Sequence, residues 1–124
     1  MEYSLKTEEK YIIIALKDEK LDASIAPDLK SDFVKFNQEG FKNIILDLSD
    51  TKYIDSSGLS AILVANRLCD KEKGTFVLSN ISEHINKLIT ISQLQSVLNL
   101  RKTNEESVDL IFMNELENDI NNED

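Results

Sequence analysis

A buried strand, a polar loop and an amphipathic helix follow one another in residues 44–63, which read IILDLSDTKYIDSSGLSAIL. The segment Ile44–Leu48, apolar except for Asp47, is typical of a buried strand. The predicted helix runs from Ser57 to Lys73, and Gly74 follows it as a stop signal. One face of this helix carries Leu59, Ile62, Leu63, Asn66 and Cys69. The segment therefore predicts one strand–helix unit of an α/β protein.

The residues before this unit predict a hairpin and a first helix. Tyr3–Thr7 alternates apolar and polar side chains, whereas Tyr11–Leu16 is continuously apolar, and only a short polar turn separates them. We therefore expect two antiparallel strands, the second of them buried on both faces. A helix with Ser24 as its N-cap and Gly40 after its end follows. Its apolar stripe consists of Ala26, Leu29, Phe33 and Phe36.

Two more strands and two more helices are expected after the unit. The third buried strand is predicted at 75–78, and a weaker strand with the pattern of a sheet edge at 96–100. The helix between them begins at the capping pair Asn80 and Glu83. Its inner face carries Ile85, Leu88 and Ile89.

The last helix begins at a second capping pair, Thr103 and Glu106. Its apolar side is predicted to hold Val108, Ile111, Phe112 and Leu116. The complete order of elements predicts an α/β fold, with a mostly parallel mixed β-sheet, an N-terminal antiparallel hairpin strand and four helices.

The length of 124 residues fits one domain with a single core. We place that domain at residues 1–116 and an acidic, disordered tail at 117–124, where only one side chain is apolar. The net charge is −9, and residues 1–103 contain all 14 basic residues but only 15 of the 23 acidic ones. This excess of negative charge repels phosphate backbones and anionic lipids, so neither nucleic acid nor a membrane is an expected partner.

Several other classes of protein are disfavoured by the composition. No apolar run is long enough to cross a bilayer, and the first residues do not resemble an export signal, so we expect a cytoplasmic protein. Cys69 and His84 are the only residues of their types, so we expect no disulfide, no zinc site and no cofactor. The chain also lacks the Gly-x-Ser-x-Gly motif of many hydrolases and a glycine-rich phosphate loop.

The junction Asp55-Ser56-Ser57-Gly58 is the candidate functional site, because functional groups in open α/β sheets gather where strands end and helices begin. We expect Ser56 or Ser57 to cap the helix and Gly58 to leave the first turn uncovered. Such a helix start can accept an anion, or a phosphoryl group attached to the serine. The same four residues are also an ordinary capping sequence, which is the more frequent explanation of this pattern taken alone.

The motif Asp55–Leu59 and its surroundings closely resemble the central motif of the STAS domain, a family that includes the bacterial anti-sigma factor antagonists. A second match is Leu21-Asp22 followed by Leu29-Lys30, and a weaker one extends from Asn80 to Leu94. The resemblance covers roughly residues 3–115. This chain has the charged segment 17–20 where many relatives have a glycine before the Leu-Asp pair.

The resemblance implies that Ser56 is the phosphoacceptor for an anti-sigma factor that is also a serine kinase. The unphosphorylated antagonist would bind this kinase and free the sigma factor, and a PP2C-type phosphatase would reset the phosphorylated form. The partner-binding residues would be Asp22, Asp55, Ser57, Gly58 and Leu59. Two of these have structural alternatives, since Asp22 is also suited to a helix start and Asp55 to a turn. The chain would be a kinase substrate rather than an enzyme.

Two alternative functions remain open at this point. One is a non-switching STAS scaffold subunit of a lipid transporter or of a stress-signalling complex. The other, a small nucleotide-binding domain, has little support without a phosphate loop. Edge strands of the predicted sheet leave a homodimer open.

Overall fold

Strands and helices alternate along the chain in the computed structural model, which describes residues 1–121. The strands are β1 (Tyr3–Thr7), β2 (Ile12–Leu16), β3 (Lys20–Leu21), β4 (Ile44–Asp47), β5 (Tyr53–Ile54), β6 (Phe76–Ser79) and β7 (Asn99–Arg101). The helices are α1 (Ala26–Gln38), α2 (Ser56–Lys71), α3 (Glu83–Ile91) and α4 (Asn104–Asn121).

The main sheet has the strand order β1-β2-β4-β6-β7, and only the β1–β2 pair is antiparallel. The predicted fold class, a mostly parallel sheet with an N-terminal hairpin and four helices, is confirmed. A second, two-stranded parallel sheet pairs β3 with β5. These two strands were not predicted, because a strand of two residues is too short to show a periodic pattern in the sequence.

Alternate side chains of the central strands point to opposite faces of the sheet, and both faces are covered. On one face Ile14, Leu46 and Leu78 belong to the large core with buried side chains of α1, α2 and α3. On the other face Ile13, Ile45 and Val77 contact Ile111 of α4. Burial on both faces explains why β2 is apolar throughout and why β4 and β6 are apolar up to their last residues, Asp47 and Ser79.

Polar side chains hold α4 on its face of the sheet along most of its length. Near its start, Asn104 Nδ2 donates to Asp47 Oδ2 at 3.1 Å, and further along Asn114 Nδ2 donates to Thr75 Oγ1 at 2.9 Å. Burial raises the pKa of Asp47, but hydrogen bonds from the Ser49 backbone, Asn104 and Asn80 lower it more, so the carboxyl pKa lies below its usual range. Asp47 therefore anchors α4 as a carboxylate.

The side of α4 that faces the sheet differs from the predicted one. Ile111 is buried and Val108 is half-buried as expected, but Phe112 and Leu116 are 49% and 56% exposed. The helix crosses only a narrow apolar patch of the sheet, and within residues 1–121 no further layer packs on its outer side. Hydrophobic periodicity therefore overestimated how much of the helix is buried.

The predicted tail at 117–124 also needs correction. Helix α4 continues to Asn121, and Asn118 Nδ2 donates to the carbonyl oxygen of Lys73 at 2.9 Å. Residues 117–121 are thus helical, although most of them are exposed to solvent. The rest of the predicted tail, 122–124, lies outside the described residues.

Of the predicted caps of α1, α3 and α4, the first two are wrong and the third is confirmed. Ile25 rather than Ser24 is the N-cap residue of α1, because the Ser24 hydroxyl donates to Asp22 instead. At α3 the cap is Ser82, whose Oγ accepts from the backbone N–H of Ile85 at 3.2 Å. The predicted Thr103 does cap α4, since its Oγ1 accepts from the backbone N–H of Glu106 at 3.1 Å.

The start of β7 is displaced because residues before it form a turn. The backbone N–H groups of Val97 and Leu98 both donate to the carbonyl oxygen of Leu94, which keeps 96–98 out of the strand. The strand then begins at Asn99 rather than at the predicted residue 96. It still lies at the sheet edge, as expected.

The small β3–β5 sheet positions the first turns of α1 and α2, because each helix follows one of its two strands. Leu21 and Ile54 are paired neighbours in this sheet, and Gly58 of α2 lies directly against them. A Cβ atom on Gly58 would lie 2.3 Å from the Leu21 carbonyl oxygen and 2.7 Å from Ile54 Cγ1. Only glycine allows α2 to come this close.

We expect Gly58→Ala to destabilise the protein by about 2 kcal/mol, since overpacking against a backbone oxygen outweighs the roughly 1 kcal/mol gain in helix propensity. Thermal unfolding measures this change. Ser60→Ala is the matched control, because it also places alanine in the first turns of α2 but at an exposed position. Equal melting temperatures for the two variants would contradict the packing role of Gly58.

Truncation after Leu116 should lower the melting temperature by less than about 5 °C, on the order of 1 kcal/mol. The sheet contacts of α4 through Asn104, Asn114 and Ile111 all precede the cut. Asn104→Ala is the comparison, and it should cost more, because Asp47 and the buried Ser79 hydroxyl lose a partner. A truncated chain that melts below the Asn104→Ala variant would show that the end of α4 is structurally required.

Candidate functional site

The first turn of α2 is capped by Asp55, one residue before the predicted caps. Asp55 has an extended backbone, and its Oδ1 accepts from the backbone N–H of Gly58 at 3.0 Å. A carboxylate is well suited to this position, since it satisfies a free N–H group and lies at the positive end of the helix dipole. The expectation that Ser56 or Ser57 caps the helix is therefore wrong. Ser56 is instead the first residue of α2, and it is exposed.

Asp55 also connects α2 to the segment that leads into α1. Its Oδ2 accepts from the backbone N–H of Ala23 at 3.3 Å, and its own N–H donates to the Leu21 carbonyl oxygen. One carboxylate therefore contacts both helix starts. The geometry agrees with the turn-forming alternative for Asp55.

Asp22 lies beside this connection and forms a local turn. Its Oδ1 accepts from the backbone N–H of Ser24 at 3.0 Å and from the Ser24 hydroxyl. The hydrogen bonds from Ser24, with a smaller contribution from Lys20, hold the pKa of Asp22 below its usual range. Asp22 is thus a carboxylate. It is close to the start of α2, because the next residue, Ala23, donates its backbone N–H to Asp55.

A groove runs between the first turns of α1 and α2. The α2 side is lined by three serines, Ser56, Ser57 and Ser60. The α1 side is lined by the small or rigid residues Ala23, Ala26 and Pro27 and by Lys30. Lys30 is the only charged residue in this lining, which gives the groove hydroxyl groups on one side and an ammonium group on the other.

The predicted partner-binding residues fall into two groups. Asp22 and Ser57 are half-buried and lie at the helix starts beside Ser56, and Asp55 lies between them. Gly58, in contrast, is buried against Leu21 and Ile54. Leu59 is half-buried and packs against the large core. These last two residues support the site from inside the protein.

Sequence reasoning did not assign a role to two of the groove residues, Lys30 and Ser60. Both lie one helical turn after a residue of the same lining, Ala26 and Ser56 respectively, so the four-residue spacing was the available signal. An aromatic pair near the site was also missed. Tyr53, in the strand just before Asp55, stacks on His84 with ring centroids 5.9 Å apart.

The remaining reactive groups of the described chain lie outside this site. Cys69 is buried in the large core, and burial raises the pKa of its thiol to about 12, so it is not a thiolate. His84 is exposed at the start of α3. Within residues 1–121, no group of histidine, cysteine and acidic side chains is arranged to bind a metal ion. None of the helices in this part of the chain has the length and apolarity to cross a membrane.

Comparison with known proteins gives a consistent set of relatives. The family model of the STAS domain matches residues 3–107. The anti-sigma-B factor antagonist of Bacillus subtilis (strain 168) is 27% identical over 89 residues, which is 72% of this chain and 81% of that protein. The anti-sigma-B factor antagonist of Staphylococcus aureus (strain NCTC 8325 / PS 47) is 22% identical over 99 residues, which is 80% of this chain and 91% of that protein.

Solved structures agree at the level of the fold. A crystal structure of a putative anti-sigma factor antagonist from Thermotoga maritima has a TM-score of 0.78 at 23% identity and covers 88% of this chain and 93% of that chain. The anti-sigma factor antagonist SpoIIAA in its unphosphorylated form has a TM-score of 0.71 at 21% identity and covers 89% and 97%. The family model spans most of the chain, including both helix starts of the groove, and the chain therefore belongs to the STAS domain family.

Proposed function

We propose that this protein is an anti-sigma factor antagonist whose binding is switched by phosphorylation of Ser56. The observation that carries the proposal is the division of roles at the start of α2. Asp55 supplies the cap, so the exposed Ser56 hydroxyl is not required to hold the helix. A phosphoryl group on Ser56 would therefore leave the capping hydrogen bond intact and change only the surface.

The relatives support this proposal. Proteins similar to this chain in Bacillus subtilis and Staphylococcus aureus are anti-sigma-B factor antagonists. SpoIIAA, which shares the fold, has been solved in both the unphosphorylated and the phosphorylated form. The partner we propose is an anti-sigma factor with serine kinase activity in the bacterial cytoplasm, with a PP2C-type phosphatase to reset the switch. A homodimer through an edge strand stays a prediction.

Electrostatics explain why one modification is sufficient. Phosphorylation adds roughly −1.5 to −2 charges and three acceptor oxygens. At the start of α2 this charge is tolerated, since the helix dipole favours an anion there. A docked partner, in contrast, would have to accommodate a bulky group and remove its water. Each loss of about 1.4 kcal/mol weakens binding tenfold, so a few unfavourable contacts release the partner.

The proposed docking surface surrounds Ser56. Asp22 and Ser57 would contact the partner directly, and Asp55 would hold the two helix starts in the geometry that the partner recognises. Gly58 and Leu59 would act indirectly, since they are packed against Leu21, Ile54 and the large core. In this proposal the chain binds and is modified, and it has no catalytic residue of its own.

We expect Ser56→Ala to abolish phosphorylation by the anti-sigma factor kinase of the same organism. The variant should fold normally, within about 0.5 kcal/mol of the parent, because the cap is supplied by Asp55. Transfer of labelled phosphate from ATP, followed by peptide mapping, measures the effect. Ser60→Ala is the matched control from the same groove and should be phosphorylated on Ser56. Ser57→Ala removes a proposed partner contact but should still give measurable phosphorylation of Ser56. Normal phosphate incorporation into the Ser56→Ala protein would refute the assignment.

Ser56→Asp should weaken binding to the anti-sigma factor by about tenfold, a loss of about 1.4 kcal/mol. The loss should be smaller than that caused by phosphoserine, because a carboxylate carries one charge and has a different shape. Isothermal titration calorimetry with the purified anti-sigma factor measures both affinities. The control is Ser96→Asp, which adds the same charge at an exposed position before β7. If Ser56→Asp bound as tightly as the parent, the non-switching scaffold would be the better description.

A further inference from the structure

We infer that Lys30 is the positioning residue for the phosphoryl group on Ser56, and that its ammonium group pairs with phosphoserine 56 inside the groove between α1 and α2. This inference rests on the proposed phosphorylation of Ser56. The inference extends the site to a residue of α1. In the phosphorylated form, the phosphoryl group would then lie in the groove rather than project into solvent.

Lys30 lies on the wall of the groove opposite Ser56. Lys30 and Ser56 line the same groove, although they are distant in sequence and belong to different helices. Lys30 is half-buried, and Ala26, one turn before it, is nearly fully buried, so the residue is on the inner side of α1 rather than on its solvent side. The packing of α1 on α2 thus places Lys30 and Ser56 on facing walls of one groove.

The charge of Lys30 is not paired with a carboxylate in the described residues. Within residues 1–121 the ion pairs of lysine involve Lys6, Lys17, Lys42, Lys52 and Lys87, and none involves Lys30. No described carboxylate therefore competes for its ammonium group. A phosphoryl group would add a strong acceptor to a groove that already contains an uncompensated donor.

Two of the other charges at the site would repel a phosphate. Asp22 from the segment before α1 and Asp55 at the start of α2 are both carboxylates near Ser56, and Asp22 is partly compensated by Lys20. The titratable Tyr53 of β5 and His84 of α3 stack on each other, and neither lines the groove. A phosphate dianion would be repelled by the two aspartates, and Lys30 is the cation on the groove wall that offsets this repulsion.

The groove also has hydroxyl groups for the remaining phosphate oxygens. Ser60 lies one helical turn after Ser56 and lines the groove with it. The opposite wall is formed by Ala23, Ala26 and Pro27, whose short or compact side chains leave space. A phosphoryl group turned toward α1 would meet the Lys30 ammonium and the Ser60 hydroxyl.

Titration of the phosphate by ³¹P NMR tests this inference, with phosphoserine incorporated at position 56 by genetic encoding so that no kinase is needed. The second pKa of a phosphoserine is about 6. A facing ammonium group favours the dianion, so we expect Lys30→Gln to raise this pKa by roughly 0.5 relative to the parent protein. Lys30→Arg keeps the positive charge and should retain the parent value. In 1 M salt, where charges are screened within about 3 Å, the difference between parent and Lys30→Gln should shrink.

Lys35→Gln is the matched control, since Lys35 is an exposed lysine on the same helix and does not line the groove. It should leave the phosphate pKa at the parent value. A phosphate pKa unchanged by Lys30→Gln, or shifted equally by Lys35→Gln, would overturn the inference. Neither result would bear on the proposed function. The kinase assay on Ser56→Ala separately decides whether Ser56 is the natural phosphoacceptor.

Discussion

The carboxylate of Asp55 holds the starts of two helices together, and the candidate site depends on this contact. One oxygen accepts from Gly58 at the start of α2, and the other accepts from Ala23 just before α1. The close approach of Gly58 to the Leu21 carbonyl oxygen also holds the start of α2 against the segment that precedes α1. Because of these contacts the first turns of α1 and α2 lie side by side, and the groove with Ser56 is the space between them.

This arrangement separates the support of the site from its surface. Leu21, Ile54 and Gly58 are buried and fix the position of the helix start. Ser56 is exposed above them, so it can be modified without a change in the core. The acidic helix α4 lies against the opposite face of the sheet from α1 and α2. Asp22, Asp55 and Lys30 are charged residues at the two helix starts, whereas most of the excess negative charge of the chain is C-terminal.

The features of the fold that could be predicted from the sequence are those that arise from the burial of long segments. The strands β2, β4 and β6 are covered on both faces, so their apolar runs were unambiguous. Helix caps were less predictable, because several neighbouring polar residues can each accept the same N–H group, and tertiary contacts select between them. Asp55 is the cap rather than Ser56 because its second oxygen also reaches Ala23, a contact between segments that are distant in sequence. The four-residue spacing places Lys30 on the same face of α1 as Ala26, but only the contact between α1 and α2 brings it to the groove with Ser56.

The phosphorylation state of the native protein tests the central claim most directly. The protein would be isolated from its native cells under several growth conditions, its intact mass measured, and any modified residue located by peptide fragmentation. The account predicts a species that is heavier by one phosphoryl group, with that group on Ser56. A protein that is unmodified in every condition, or that carries the phosphoryl group on another residue, would contradict it.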